Sequence, residues 1–255
     1  MTETVAAFLG EADELDALVA DLAPSEWRRD TPAAGWTIAH QIAHLAWTDE
    51  IALLAATDPA SFGAQLKAAA ADPYGLVDKA AEQGANVDPA TLLARWRAAR
   101  TALGAALTQA DPSVRLPWFG PPMTPRSMAT ARLMETWAHG QDVADGLGST
   151  RVPTERLRDI AHLGVRTRNY AYAVNGRPAP AAEFRIELTA PGGELWAWGP
   201  ADAGDRVTGS AEDFCLVVTQ RRPVSATGLR ASGAAAAWLP IAQAFAGPPG
   251  RGAGA

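Results

Sequence analysis

Amphipathic helices separated by proline and glycine dominate the first two thirds of this 255-residue sequence. Four long segments carry apolar side chains at the spacing of one helix face, namely 3–22, 38–57, 89–110 and 127–147. Thr37 is a favourable N-cap residue for the second segment, and Gly148 suits the C-cap of the fourth. Because each helix must bury its apolar face against another, the pattern predicts a mostly α fold built around a helix bundle.

The segments that follow or connect these helices complete the helical region. Residues 58–88 are rich in Asp-Pro, glycine and alanine, and they predict two short helical pieces. The loop PWFGPPMTP, residues 117–125, is interrupted by four prolines and a glycine, so it is incompatible with regular structure. A fifth helix is predicted over residues 154–174.

The composition and the hydrophobic periodicity of the sequence change after residue 174. NGRPAPAA is typical of a linker, and FRIELTA-PGGE-LWAWGP predicts two strands joined by a Pro-Gly-Gly turn. RVTGS predicts a short strand that leads into a helix capped by Ser210, and SGAAAAWLPIAQAFAG predicts a last helix. We therefore expect a helical domain over 1–174, a small α+β domain over 183–247 and a disordered tail over 248–255.

Composition limits the classes of protein to which the chain can belong. With 48% hydrophobic and 20% charged residues it is globular, and its net charge of -6 argues against nucleic acid or an anionic membrane as a partner. The single cysteine, Cys215, excludes an internal disulfide, and the acidic N-terminus lacks the basic residues of a signal peptide. No apolar run approaches the roughly 20 residues that span a bilayer. We expect a cytoplasmic protein.

Histidines and a glutamate on two of the bundle helices have the spacing of metal ligands. His40 and His44 are four residues apart on the second helix, and His139 follows Glu135 by four residues on the fourth. Side chains four apart on a helix are neighbours, with Cβ atoms ~5–6 Å apart, so two of them can reach one ion. The same spacing also suits a core histidine bonded to a neighbouring carboxylate, and spacing alone leaves both interpretations open.

Two motifs carry a resemblance to a known family. GWTIAHQIAHLAWTDE and the later RLMETWAHGQDVADGLG resemble the N-terminal domain of the mycothiol-dependent maleylpyruvate isomerase family, in the DinB-like superfamily of metal-binding bundles. PWFGPPM, EDFCLVVTQRR and WLPIAQAFAGPPG resemble an uncharacterised metal-binding subfamily. The resemblance implies a DinB-like up-and-down four-helix bundle followed by a smaller C-terminal α+β domain.

The resemblance also implies a set of metal ligands, which are His44, Glu135 and His139 in this sequence. The expected ion is divalent, with Zn²⁺ as the first choice, and such a set leaves a coordination position open, as in catalytic sites. Asp142 lies on the same helix face and is expected to accept the free ring N–H of a ligand histidine. His40, one turn before His44, is expected to lie close to the ligands or to act as an acid/base group.

The function implied by the resemblance is that of an enzyme that uses a low-molecular-weight thiol, such as mycothiol. It would isomerise a small, electrophilic and anionic substrate or transfer sulfur to it. Trp118 in the proline-rich loop is a candidate cofactor-binding residue, and Arg221 or Arg222 is a candidate anchor for a substrate carboxylate. The alternatives are a hydrolase that uses metal-bound water and a non-catalytic protein that binds a metal and a ligand. Both a monomer and a homodimer are compatible with the sequence.

Overall fold

The computed structural model of the chain describes residues 2–72, 75–245 and 247, and the chain divides into two compact units between Arg151 and Val152. Each unit has buried apolar side chains of its own, so the two are described separately. The tail over 248–255, which we expected to be disordered, lies outside the described residues. No helix in the part of the chain that the structure describes is both long enough and apolar enough to cross a membrane.

The first unit is helical, and its long helices form the expected four-helix bundle. Its helices are α1 (Thr2–Val19), α2 (Ile38–Thr57), α3 (Pro59–Ala71), α4 (Gly75–Ala85), α5 (Pro89–Gln109) and α6 (Pro125–Leu147). In the bundle, α1 packs against α5 and α6, and α2 packs against the same two helices. The short helices α3 and α4 confirm the two helical pieces predicted between α2 and α5, and α4 packs against α2.

The bundle core is filled by the apolar side chains that recur at helical spacing. Leu15 of α1, Ile42 and Leu45 of α2, Trp96 of α5 and Val143 of α6 are all fully buried. Burial of each such side chain stabilises the fold by ~1.5–3 kcal/mol before the entropic cost of folding is counted. The core therefore fixes how α2 and α6 face each other, which matters for the site described below.

The loop before α6 is closed at its base, and the helix begins slightly earlier than predicted. Two backbone hydrogen bonds of 2.8 and 2.9 Å join Leu116 to Met123. The Thr124 hydroxyl then accepts a hydrogen bond from the Ser127 backbone N–H at 3.1 Å, so α6 starts at Pro125 rather than at about residue 127. Proline tolerates the first helical position because the N–H that it lacks would have no partner there.

The second unit combines helices with a four-stranded sheet. Its elements are α7 (Leu157–Arg166), α8 (Arg168–Val174), β1 (Arg185–Thr189), β2 (Leu195–Trp198), β3 (Arg206–Ser210), α9 (Ala211–Val218), β4 (Arg230–Ala231) and α10 (Gly233–Trp238). The strand order is β2-β1-β3-β4, with β1 parallel to β3 and the other pairs antiparallel. Phe184, Ile186 and Leu188 are buried, which confirms the predicted alternation along β1. The short strand β4 was not predicted.

Helix α7 belongs to the second unit, whereas we expected the helical domain to continue to residue 174. Its buried face packs against α9 so closely that a Cβ added at Gly164 would lie 2.8 Å from a methyl group of Val218. The thiol of Cys215 also donates to the backbone oxygen of Leu157 at 3.5 Å. The predicted fifth helix is interrupted at Thr167, so it forms α7 and α8 rather than one element.

Candidate metal centre

Three side chains from α2 and α6 converge at one point of the bundle. Nε2 of His44 lies 3.5 Å from Oε2 of Glu135, and Nε2 of His139 lies 3.2 Å from the same oxygen. Each of the three offers a ligand atom, and these atoms all lie within 4.8 Å of one another. The structure thus brings together the three residues that the resemblance implied as metal ligands.

The positions of these residues follow from local helix geometry and from the packing of two helices. Glu135 and His139 are one turn apart on α6, so they lie on the same face. His44 reaches them because α2 packs directly against α6. His44 is only 8% exposed, whereas the Glu135 side chain keeps 24% of its surface accessible. The cluster is therefore enclosed on most sides and reachable from one.

The separations of the two histidines from Glu135 fit a tetrahedral metal ion. Two ligand atoms that each lie about 2.1 Å from such an ion are ~3.4 Å apart, which matches the 3.5 and 3.2 Å separations from Glu135 Oε2. Two imidazoles and one carboxylate are also a donor set that Zn²⁺ accepts. Three protein ligands leave a fourth position of a tetrahedral ion for water or another small ligand.

The electrostatics of the cluster keep its carboxylate ionised. Burial by itself would raise the pKa of Glu135, because it disfavours the charged form. Hydrogen bonds and Coulomb attraction from His139 and His44 outweigh burial and hold the pKa of Glu135 well below its usual range. Glu135 is consequently an anion across the neutral pH range, as a metal ligand must be.

A chain of hydrogen bonds behind His139 keeps a proton on one of its ring nitrogens. The Thr31 hydroxyl donates to the backbone oxygen of Trp36 at 2.7 Å, and it accepts from Nε2 of Gln41 at 2.8 Å. This orients the Gln41 amide so that its Oε1 faces Nδ1 of His139 at 2.5 Å. Because an amide oxygen can only accept, Nδ1 carries the hydrogen, and Nε2 of His139 is directed toward Glu135.

Gln41 therefore has the position that we expected for Asp142. Oδ2 of Asp142 lies 3.9 Å from Nδ1 of His139, which is beyond hydrogen-bonding distance. Asp142 is buried near the ring, and its expected role as acceptor of a histidine ring N–H stays a prediction. Gln41 lies on α2 three residues before His44, and only the structure shows that its amide is fully buried. Hydrogen bonding across helices, however, cannot be read from spacing along one helix.

His40 is held by partners outside the three-residue cluster. Its Nδ1 accepts hydrogen bonds from the Thr37 backbone N–H at 3.2 Å and from the Thr37 hydroxyl at 2.8 Å. Its Nε2 lies 2.8 Å from Oε2 of Glu82 on α4. The ring lines a cleft of about 700 Å³ together with Trp27 and Asn86. His40 thus caps α2 and links it to α4, and these contacts lend no support to the expected role beside the ligands.

Aromatic rings surround the cluster and extend from it. The Trp36 ring is stacked on His139, with 5.9 Å between ring centroids and 20° between the planes. Trp47 lies 6.4 Å from the His44 ring and continues into a group that we call the aromatic wall, formed by Trp47, Phe62, Trp118 and Phe119. Trp118 and Phe119 come from the closed proline-rich loop, and Phe119 is exposed. Aromatic side chains thus extend from the exposed Phe119 through Trp47 to the neighbourhood of His44.

A buried ion pair lies near the cluster and joins the same two helices. Nε of Arg132, on α6, donates to Oδ1 of Asp49, on α2, at 2.8 Å, and both side chains are almost fully buried. Burial raises the pKa of Asp49, and the charge and hydrogen bond of Arg132 oppose that shift. Because removal of one partner would leave an uncompensated buried charge, the pair constrains the register of α2 against α6.

Arg221 and Arg222 lie in the second unit, just beyond the end of α9. Gln220 has a positive φ of 59°, and the backbone N–H of Arg221 returns to the Leu216 oxygen at 2.8 Å, which closes the end of the helix. Nη1 of Arg221 donates to the Thr219 oxygen at 2.7 Å. Both arginines are therefore placed where positive charge favours a helix C-terminus. Their expected role toward an anionic substrate stays a prediction.

Comparison with known proteins identifies the family to which this bundle and its histidine–carboxylate cluster belong. A family model described as the mycothiol maleylpyruvate isomerase N-terminal domain matches residues 8–144, which is more than half of the chain. The chain belongs to this family. A second model, described as wyosine base formation, matches residues 180–231, the span from just before β1 to the end of β4.

Two relatives and two solved structures are similar to this chain over most of its length. Uncharacterized proteins from two strains of Mycobacterium tuberculosis, CDC 1551 / Oshkosh and ATCC 25618 / H37Rv, are each 59% identical over 249 residues, which cover 97% of both chains. A crystal structure of the mycothiol-dependent maleylpyruvate isomerase has a TM-score of 0.61 at 16% identity and covers 90% of this chain and 92% of its own. A histidine-to-alanine mutant of such an isomerase gives 0.59 at 15% identity, with the same coverage. At these identities the structures establish the fold alone.

Proposed function

We propose that this protein is a metal-dependent enzyme that uses a small thiol, mycothiol or a similar one, on a small, electrophilic and anionic substrate. The reaction is an isomerisation or a transfer of sulfur to the substrate. The observation that carries the proposal is the convergence of His44, Glu135 and His139 on one point, with one accessible side. Membership of the mycothiol maleylpyruvate isomerase N-terminal domain family supports the use of a thiol.

In this proposal His44, Glu135 and His139 hold one divalent ion, with Zn²⁺ as the expected metal. When bound, such an ion supplies a strong local positive charge that lowers the pKa of a thiol placed beside it. Gln41 keeps the proton of His139 on Nδ1, so that Nε2 is free to coordinate. Glu135, ionised at neutral pH, offsets one of the two charges of the ion.

The aromatic wall is the part of the site that we assign to the organic ligands. Trp118 and Phe119 extend from a loop whose ends are joined by two backbone hydrogen bonds, so their positions are fixed without a helix or strand. An aromatic wall of this kind excludes water and packs against the carbon skeleton of a thiol cofactor or an unsaturated substrate. We therefore assign Trp118 to cofactor binding and Trp47, nearest to His44, to the boundary with the metal.

The remaining assignment concerns the substrate charge. The family resemblance attributes recognition of an anionic substrate to an arginine, at the position of Arg221 or Arg222. A guanidinium binds a carboxylate through two parallel hydrogen bonds, whereas an ammonium group acts as a point charge. We include one of these two arginines in the proposal on that ground and give a test for it below.

Metal analysis combined with a thiol-dependence assay tests the proposal. We expect about one zinc per chain in the purified protein and turnover of a maleylpyruvate-type substrate only when mycothiol is added. His44→Ala should abolish both metal binding and turnover, whereas His162→Ala, a matched histidine outside the cluster, should change neither metal content nor thiol dependence. Inhibition by excess thiol would instead favour the hydrolase. Metal content well below one per chain, with no rise in Tm when metal is added, would defeat the proposal.

A further inference from the structure

A second cavity, unrelated to the metal proposal, lies wholly within the second unit. It has a volume of about 430 Å³ and is lined by α7, α8, the start of β1 and the end of the edge strand β2. The residues that matter for its chemistry are His162, Arg166, Arg168, Glu183, Phe184 and Trp198. A volume of this size accommodates a small organic molecule.

Two arginines give this cavity its positive charge. Arg166 is exposed and makes no ion pair or hydrogen bond with the part of the chain that the structure describes. Arg168 is held over the Phe184 ring, with 4.2 Å from Cζ to the ring centroid, and its Nη2 donates to the Pro180 oxygen. Its Nε–H is buried and lacks an acceptor among the described residues. Buried donors are normally satisfied, so this one is suited to an oxygen of a bound anion.

The walls of the cavity are aromatic and held in fixed orientations. The indole N–H of Trp198 donates to Nδ1 of His162 at 3.1 Å, which fixes the Trp198 ring against α7. Phe184 is 4% exposed and is covered by the Arg168 guanidinium. Phe184 thus supports the Arg168 guanidinium from behind, and the Trp198 ring is the aromatic face of the cavity, which favours a flat ligand because such a ligand contacts the ring over a whole face.

The charge balance of the cavity favours an anion. Arg166 and Arg168 contribute two positive charges, and Glu183 contributes one negative charge, so the net charge with neutral His162 is about +1. A carboxylate is planar and pairs with a guanidinium through two parallel hydrogen bonds, so the two arginines are suited to a carboxylate ligand. We propose that this cavity is a binding site for a small planar carboxylate, such as an aryl carboxylate, with Arg166 and Arg168 as its anion-binding residues.

The experiment uses the full-length, ¹⁵N-labelled protein titrated with benzoate near neutral pH. The indole N–H signal of Trp198, identified by its absence in Trp198→Phe, should shift and saturate with benzoate. Benzyl alcohol has the same ring without the charge, so it should bind at least about tenfold more weakly. Arg166→Gln should weaken benzoate binding by about tenfold or more.

Arg177→Gln is the matched control, because Arg177 is an exposed arginine of the same unit that does not line the cavity. It should bind benzoate as the unsubstituted protein does. Arg166 is exposed, so its replacement should leave the indole spectrum in the absence of ligand unchanged, which separates loss of binding from loss of folding. The proposal is overturned if benzoate causes no saturable shift of Trp198. Equal affinity of Arg166→Gln and the unsubstituted protein, or benzyl alcohol binding as tightly as benzoate, would also overturn it.

Discussion

Nδ1 of His139 lies 2.5 Å from Oε1 of Gln41, and this contact leaves the other ring nitrogen, Nε2, facing Glu135 and His44. The contact connects three elements of the first unit, because Gln41 is in turn held by Thr31 and Thr31 by the Trp36 backbone. Trp36 also stacks on the His139 ring. The orientation of a residue on α6 is thus controlled by α2 and by the segment before it.

Replacement of Gln41 should therefore weaken metal binding without removing a ligand. We expect Gln41→Leu to lower zinc affinity by about 10–100-fold, because the hydrogen bond that holds the ligand tautomer is lost. Gln41→Glu, which still accepts from Nδ1, should keep most of the affinity. Competition with a chromophoric chelator measures both, and Gln83→Leu, an exposed glutamine on α4, is the control. Equal affinities for Gln41→Leu and the control would contradict the role given to Gln41.

Metal loading should fall as the pH is lowered, and histidine rather than Glu135 should set the midpoint. The pKa of Glu135 is held well below its usual range by His139 and His44, so it stays ionised through the range in which imidazoles gain protons. Protons compete with the metal for His44 and His139, so loading should decline between about pH 8 and about pH 5. Equilibrium dialysis against buffered zinc measures this. Loading that is constant across that range would exclude the two histidines as ligands.

Comparison of His40→Ala with His44→Ala should distinguish a histidine with a structural role from one that binds the metal. The change removes the cap contacts with Thr37 and the link to Glu82, so we expect a loss of about 0.5–2 kcal/mol in the free energy of unfolding. Metal content should remain nearly intact, whereas His44→Ala should lose the metal. Urea unfolding and metal analysis of the two variants provide the comparison. Equal loss of metal in both would mean that His40 is a fourth ligand and that the site is closed.

Asp16 should contribute stability that depends on pH. Its carboxylate accepts hydrogen bonds from Arg97 at 2.6 and 2.7 Å and from Arg100 at 2.9 Å, which join α1 to α5. The hydrogen bond from Arg97 lowers the pKa of Asp16, although burial opposes it, and the charge of Arg100 lowers it further. Because the folded-state pKa lies below the unfolded value of about 3.9, this stability is present above about pH 4 and is lost as pH falls through the folded-state pKa.

We accordingly expect Asp16→Asn to lower the free energy of unfolding at neutral pH by about 1.5–3 kcal/mol, with the difference shrinking below about pH 4. The control is Asp13→Asn, since the Asp13 side chain is 74% exposed although it lies 3.0 Å from Arg100. Its effect should stay within about 0.5 kcal/mol. Urea unfolding at several pH values measures both, and a pH-independent effect of Asp16→Asn would contradict the linkage.

One of the two arginines after α9 should matter for substrate and not for metal. Arg221→Lys and Arg222→Lys keep the positive charge but lose the planar guanidinium with its parallel N–H donors. One of the two variants should therefore raise KM or lower kcat at unchanged metal content. Steady-state kinetics in the presence of thiol, together with metal analysis, test this. Arg177→Lys is the matched control. Unchanged kinetics in both variants would remove the support that this segment gives to the isomerase-like assignment.

The sequence by itself determined the features that depend on neighbours along the chain. Helical periodicity located the four bundle helices, Thr37 and Gly148 marked two of their ends, and alternation from Phe184 to Leu188 predicted β1. The pairing of Glu135 with His139 was equally local, because residues four apart on a helix share a face. Addition of His44 to that pair required a resemblance to a family, since spacing cannot identify a ligand from a second helix.

The tertiary structure decided the features that depend on contacts between distant segments. Local geometry offered Asp142 as the partner of His139, but packing of α2 against α6 brings Gln41 closer. His40 shares a helix with His44, yet its ring nitrogens are bonded to the Thr37 cap and to Glu82. Likewise α7 follows the bundle in sequence but packs on α9, because Gly164 admits Val218 at close range. Helical periodicity depends on hydrogen bonds between residues a few positions apart. Burial and side-chain hydrogen bonding between distant segments are determined only when the whole chain is packed.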